Sequence, residues 1–176
     1  MKTKVIKAKV QEYFLLNPTV KLRVRQVERE VNVPLPSAIR YTKELEKEGV
    51  LKGQEIAEVK LYSANRDSPQ YLLEKRLFNI RQLYAAGLVQ HFVEKYDNPT
   101  IIVFGSYSRG EDIETSDIDL YLETPHKEIK DLEGFEKKLQ RKIQVFCHKS
   151  IKEIKNKELA NNIINGVTLR GFVEAF

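Results

Sequence analysis

The stretch Ile101-Ile102-Val103-Phe104-Gly105-Ser106-Tyr107-Ser108-Arg109-Gly110, followed by Ser116-Asp117-Ile118-Asp119-Leu120, decides the reading of this chain. An apolar run predicts a strand, a small Gly-Ser turn follows it, and two carboxylates then stand at i and i+2. Side chains alternate along a strand, so Asp117 and Asp119 are expected on one face. Ile118, Leu120 and Leu122 are expected on the other, against a core. Two like charges fixed close together repel each other. A cation between them removes that cost. Two carboxylates leave room for water and phosphate oxygens, a ligand set that suits Mg²⁺. The Gly105-Ser106 turn can bring bare backbone N–H groups and a hydroxyl against a phosphate. Together these parts predict a metal–nucleotide site for phosphoryl or nucleotidyl transfer.

A lone Asp-X-Asp is commonly a solvated strand end, and a lone Gly-Ser is commonly a turn. Their joint order is far more specific. The segment from Phe104 to Leu120 resembles the signature of the minimal nucleotidyltransferases, a branch of the DNA polymerase beta superfamily. That signature reads Gly-Ser-x-x-Arg-Gly, a short acidic loop, then Ser-Asp-x-Asp-Leu. Gly105, Ser106, Arg109, Gly110, Ser116, Asp117, Asp119 and Leu120 fill every one of those positions. The segment Asn162 to Gly171 also resembles the tail of that family.

The resemblance implies a nucleotide site at Gly105, Ser106, Arg109 and Ser116, with the Gly-Ser turn on the β- and γ-phosphates. It implies metal-binding and catalytic roles for Asp117 and Asp119, with Mg²⁺ or Mn²⁺ as cofactor and an NTP, expected to be ATP, as substrate. The reaction would move a nucleoside monophosphate onto an acceptor and release pyrophosphate. Arg109 has two readings, as a charge beside the phosphates or as a partner for Glu111, Asp112 or Glu114. The superfamily adds a third carboxylate from the next strand. Here that strand is Lys142-Ile143-Gln144-Val145-Phe146-Cys147, and alternation puts Gln144 in the acid's place. Glutamine can offer an amide oxygen to a metal, but it is neutral and cannot act as a general base. Glu136 and Glu123 are more remote substitutes.

Upstream, helical spacing of Ile6, Val10, Tyr13 and Phe14 predicts a first helix, stopped at Asn17-Pro18. Val24, Val27 and Val31 predict a second, closed by Asn32 in a left-handed conformation. Pro34 to Ser37 opens a third that ends at Gly49. Ala38, Ile39, Thr42 and Leu45 are expected on its buried face, and Ser37, Arg40, Tyr41 and Glu44 on its polar face. Short strands around Gly53 follow. This is the layout of a winged helix-turn-helix, whose third helix would enter the major groove of duplex DNA. Ser37, Arg40 and Tyr41 would meet base edges and phosphates, and Lys52 and Lys60 would meet the backbone. A winged helix that binds only protein is the alternative. The combined order resembles a family best known from archaeal proteins.

Charge supports a division of labour. Residues 1–66 hold 14 Lys/Arg against 8 Asp/Glu, a net +6, and residues 67–176 hold 16 against 17, a net −1. A basic first third suggests a nucleic-acid-facing module. No apolar run approaches the ~18 residues of a membrane span, so no membrane partner is expected. The N-terminus has no secretory h-region, and a single cysteine, Cys147, fits a reducing cytoplasm.

Ser68-Pro69 starts a long helical pattern with Leu72, Leu73, Leu77, Ile80, Leu83 and Tyr84 as its apolar stripe, continued after Gly87 to Tyr96. Beyond Asn98-Pro99 the elements alternate: strands at 101–104 and 117–122, a helix over about 128–139, a strand at 142–147, and helical segments over 150–165. The expected fold is α+β. A winged helix-turn-helix (1–65) precedes a connector helix (66–97) and a small mixed-sheet α/β nucleotidyltransferase-like domain (98–176). Two functions follow from this: a DNA-binding nucleotidyltransferase, or a transcriptional regulator whose second domain binds nucleotide without turnover. A homodimer or a protein acceptor is a further expected partner.

Overall fold

The computed structural model describes residues 2–174. The chain divides into two compact units, Met1–Phe78 and Asn79–Phe176. The first contains α1 (Lys2–Leu16), α2 (Val24–Val31), α3 (Leu35–Lys47), and the antiparallel hairpin of β1 (Leu51–Ile56) with β2 (Val59–Ala64). Val10, Phe14, Val27, Ala38, Leu45 and Tyr62 are buried together in its core. Asn32 takes φ 53° and closes α2 as expected, its N–H returning to the carbonyls of Arg29 and Glu28. Ala57 and Glu58 turn the hairpin with φ 47° and 63°, the double positive φ that a tight two-residue turn demands. Leu22 pairs with Tyr62 in an isolated bridge on the outer edge of β2.

Two apolar faces differ from the sequence expectation. On α3, Tyr41 is buried at 3% exposure while Ile39 is 40% exposed. The buried row is Ala38, Tyr41, Thr42 and Leu45, spaced i, i+3, i+4, i+7, and the large Tyr41 ring fills the core better than Ile39 does. Tyr41 therefore does not belong to the exposed polar face. On α4 (Pro69–Ala85), Leu73, Leu77 and Tyr84 are exposed. The buried row is instead Tyr71, Lys75, Phe78, Asn79 and Leu83. Lys75 and Asn79 can lie on that row because each has a hydrogen-bond partner: Lys75 Nζ donates to Leu15 O at 2.7 Å, at the C-terminal end of α1, where helix carbonyls lack partners. The boundary between units falls inside α4, between Phe78 and Asn79.

The second unit adds α5 (Leu88–Lys95), β3 (Thr100–Phe104), the short α6 (Gly105–Arg109), β4 (Ile118–Glu123), α7 (Glu133–Leu139), β5 (Ile143–His148), a 3-10 turn at Ile151–Glu153, α8 (Lys157–Ile164) and β6 (Val167–Arg170). Its sheet runs β5-β4-β3-β6. β4 and β5 are parallel, and β3 is antiparallel to both β4 and β6. The helix expected from residue 128 starts later, after Asp131 turns left-handed at φ 64°. The helical stretch after 150 breaks before α8, which Asn156 caps by accepting from Glu158 N and Leu159 N. Alternation splits the sheet residues between two cores. Ile101, Val103, Ile118, Leu120 and Leu122 pack with Leu88 and Phe92 on one face. Ile102, Phe104 and Tyr121 pack with Ile151 and Ile163 on the other.

Candidate functional site

β4 carries Asp119 between Ile118 and Leu120, both fully buried on the face shared with α5. Asp119 therefore projects to the opposite face with Tyr121. It is half-buried, and Asp117, just ahead of the strand, is exposed. Burial first, and then the negative charge of Asp117, push the Asp119 carboxyl above its usual range. The two carboxylates thus feel each other. The donor set fits a divalent cation: two hard oxygen ligands, with the remaining positions open to water and phosphate oxygens. Among the described residues no cluster of three or more His, Cys, Asp or Glu side chains is placed to hold a metal ion.

Gly105 stands over this carboxylate. The expected Gly-Ser turn is the first turn of α6, and Gly105 enters it at φ +69°. A Cβ there would fall well inside 3.0 Å of Asp119 Oδ2. Ser106 follows, half-buried. Ser108 Oγ donates to Gly105 O at 2.9 Å, and Gly110 ends the turn with φ 75°.

The acidic loop is anchored rather than free. Asp112 is 1% exposed and accepts from Asn79 Nδ2 at 2.6 Å. The same Asn79 amide donates to Tyr107 O at 2.8 Å, so one side chain ties α6 to the loop that leads to Asp117. Ser116 closes the loop: its N–H donates to Ile113 O, and its Oγ accepts from Ile113 N, each at 3.0 Å. Arg109 is exposed and pairs with Glu111 at 2.7 Å, which is the second of its two readings. The sequence reading missed Asn79 because it treated α4 as a connector. An asparagine at helical spacing between Phe78 and Leu83 was the available signal.

Gln144 is the register partner of Asp119 across β4 and β5. Directly opposed residues on neighbouring strands share a face, and Gln144 is exposed there. Its neighbours Ile143 and Val145 pack on the other face, as alternation predicts. The more remote acids are committed elsewhere. Glu136 accepts from Ile143 N and Lys142 Nζ, both at 3.0 Å, and these bonds hold its carboxyl below the usual range. Glu123 accepts from Tyr121 Oη at 3.1 Å and Ile151 N at 2.9 Å. A cavity of about 550 Å³ opens beside Asp117, lined among others by Thr115, Ser116, Lys137, Arg141 and Lys142.

In the first unit, the residues expected at nucleic acid are scattered over α3 and the hairpin. Arg40 is exposed, stacks over the Tyr41 ring at 5.4 Å, and lies 3.9 Å from Glu44. Ser37 is half-buried. Glu44 is held by Lys7 at 2.8 Å, which lowers its carboxyl pKa. Lys60 pairs with Glu46 at 2.7 Å, and Lys52 lies 3.7 Å from Asp67. Lys43 and Lys47 are also exposed on α3, at i+3 and i+7 from Arg40.

Residues 86–168 match the family model described as a nucleotidyltransferase domain. This match supports the nucleotidyltransferase part of the resemblance, and the small mixed sheet of the second unit is consistent with it. No match was found among the curated proteins or the solved structures.

Proposed function

We propose that the second unit binds a nucleoside triphosphate, expected to be ATP, with Mg²⁺ or Mn²⁺ at Asp117 and Asp119, and transfers its nucleoside monophosphate to an acceptor. The observation that carries this reading is the half-buried, charge-repelled Asp119 carboxylate lying where Gly105 has no side chain. The bound cation would supply charge neutralisation for the triphosphate. In the transfer, an acceptor oxygen or nitrogen forms a bond to the α-phosphorus, and the bond from that phosphorus to the pyrophosphate oxygen breaks. Ser106 offers a hydroxyl to the phosphates. The cavity beside Asp117 offers space next to the reacting group.

A second reading is favoured by one observation. Gln144 stands opposite Asp119 where the family resemblance expects a carboxylate. A neutral amide leaves the acceptor's proton without a nearby base. In this reading the unit binds Mg·NTP and reports on it, and turnover is slow or absent.

The first unit is read as a winged helix-turn-helix that binds duplex DNA, with α3 as the helix that enters the major groove. Ser37, Arg40, Lys43 and Lys47 are its contact residues, and Lys52 and Lys60 contact phosphate from the hairpin. The net +6 of residues 1–66 supports this.

Calorimetry of Mg·ATP binding to the wild type and to an Asp117→Asn/Asp119→Asn variant tests the nucleotide reading. Binding to the wild type and not to the variant is expected. Equal affinity in both would remove the site. A labelled-NTP transfer assay then separates the two readings, and Arg40→Ala in a duplex-binding titration tests the first unit.

A further inference from the structure

Arg23, Arg25 and Arg29 line one cleft of about 500 Å³ with Gln26 and Leu61. Arg23 precedes α2, Arg25 and Arg29 lie one turn apart on it, and Leu61 belongs to β2. None of these residues was expected at a binding site. All three arginines are exposed. Among the described residues no carboxylate pairs with any of them, whereas Arg40, Lys52 and Lys60 each stand within 4.0 Å of one.

The fold alone does not account for this arrangement. Like charges at i and i+4 weaken a helix, and Arg23 and Arg25 at the N-terminus of α2 oppose its dipole, although Arg29 in the last turn favours it. Gln26 uses its amide oxygen to accept from Arg23 N at 2.8 Å, so its N–H groups remain as donors. Leu61 contributes an apolar wall. The side chains lining the cleft thus offer guanidinium cations and an amide donor, and guanidinium forks match phosphate oxygens in pairs.

We propose that this cleft is a phosphate-binding site that grips consecutive phosphodiesters of a nucleic-acid backbone, separate from the contacts made by α3. The proposal rests on the DNA-binding reading of the first unit. A backbone is the occupant the chemistry favours. The arginines are exposed and long, the cleft holds no buried polar group shaped around a single terminal phosphate, and the whole unit is basic.

The test is a duplex-binding titration with the full chain over a salt series. It compares the wild type with R25A/R29A, R25K/R29K and R40A. The R25A/R29A variant should bind at least about ten-fold more weakly and lose about two from the log–log salt slope, since each phosphate contact contributes about 0.9. R25K/R29K should keep most of the slope. The thermal midpoint of R25A/R29A should stay close to that of the wild type, because the Arg25–Arg29 repulsion and the favourable charge of Arg29 on the last turn are removed together. An unchanged affinity and slope in R25A/R29A, with R40A weakened, would overturn the cleft and leave the DNA reading standing. No duplex binding by the wild type at low salt would overturn both. Tripolyphosphate that binds the wild type and not R25A/R29A, while duplex affinity is the same in both, would assign the cleft to a small phosphate ligand and overturn the proposal.

Discussion

Gly105 and Asp119 are packed so closely that a methyl group on the glycine would collide with the aspartate's Oδ2. The contact follows from register. Phe104 is the strand partner of Asp119, so the next residue turns over its carboxylate. Gly105 also has φ +69°, where an L side chain is strained. Gly105→Ala should cost about 1–3 kcal/mol in stability. It should also weaken Mg·ATP binding at least ten-fold, because Asp119 must move. Gly134 in α7 is the control, with open space around its Cβ position and no positive φ. Gly134→Ala should leave binding unchanged and stabilise the chain by about 0.5–1 kcal/mol. Calorimetry and urea unfolding check both, and equal binding by Gly105→Ala would detach the glycine from the site.

The raised carboxyl of Asp119 has a definite pH consequence. Its folded pKa lies above its unfolded value, because burial and Asp117 disfavour the charged form. Its contribution to stability is therefore fully present below the ordinary carboxylate range and is lost as pH rises through the raised value. Asp119→Asn should then raise the melting temperature of the metal-free chain at neutral pH, by roughly 1–4 °C, and flatten its acid-side pH dependence. Metal binding runs the other way. Affinity for Mg²⁺ should grow as pH rises through the same range, because the ligand must be ionised. A lower melting temperature for Asp119→Asn at pH 7 would show that the carboxylate is held by the fold, not strained by it.

Asn79 is expected to matter for both stability and binding. It is 1% exposed and donates to a carboxylate that is equally buried. Asn79→Ala removes the donor from Asp112 and from Tyr107 O. The loss should be about 1.5–3 kcal/mol, the range for hydrogen bonds to charged groups. The Gly105–Arg109 turn should loosen with it, so Mg·ATP affinity should fall although Asn79 touches no ligand. Asp112→Asn, which keeps the shape of the cluster, should cost less. Equal losses from the two variants would show that Asn79's bond to Tyr107 adds nothing.

The extent to which the site could be read in advance follows from what fixed each part. Asp119 and Gln144 lie in register where alternation puts them, and a period of two leaves little freedom once one face is buried. The N-terminal helices were equally legible, since Val10, Phe14, Val27 and Asn32 sit where apolar spacing and capping chemistry put them. The faces of α3 and α4 were not. Hydrophobicity ranked Ile39 above Tyr41, and Leu73 and Leu77 above Lys75 and Asn79. Burial was decided instead by ring volume and by partners distant in sequence, Leu15 O for Lys75 and Asp112 for Asn79. Those partners have no local signature. Arg109 was legible only as an alternative, because its pairing with Glu111 depends on how the loop turns after Gly110.

Gln144 pairs in register with Asp119, on the same face and exposed to solvent, so a carboxylate could be placed there without burying it. Glu136 and Glu123 are each held by two hydrogen bonds and do not supply that charge. A glutamate at 144 would stand near two other acids, which raises its pKa and brings it closer to the neutral range where a general base works best. If the wild type binds Mg·ATP but transfers slowly for want of a base, Gln144→Glu should raise the transfer rate by about 10²–10⁴-fold. Nucleotide affinity should change little, and the gain should appear with a rising limb in the pH–rate profile that the wild type lacks. Gln144→Ala should give no gain. Single-turnover rates measured on the three proteins with the same labelled nucleotide decide the matter. A wild type that already turns over at a rate Gln144→Glu does not improve would mean that the acceptor is deprotonated elsewhere, and Gln144 would then be no deficit at all.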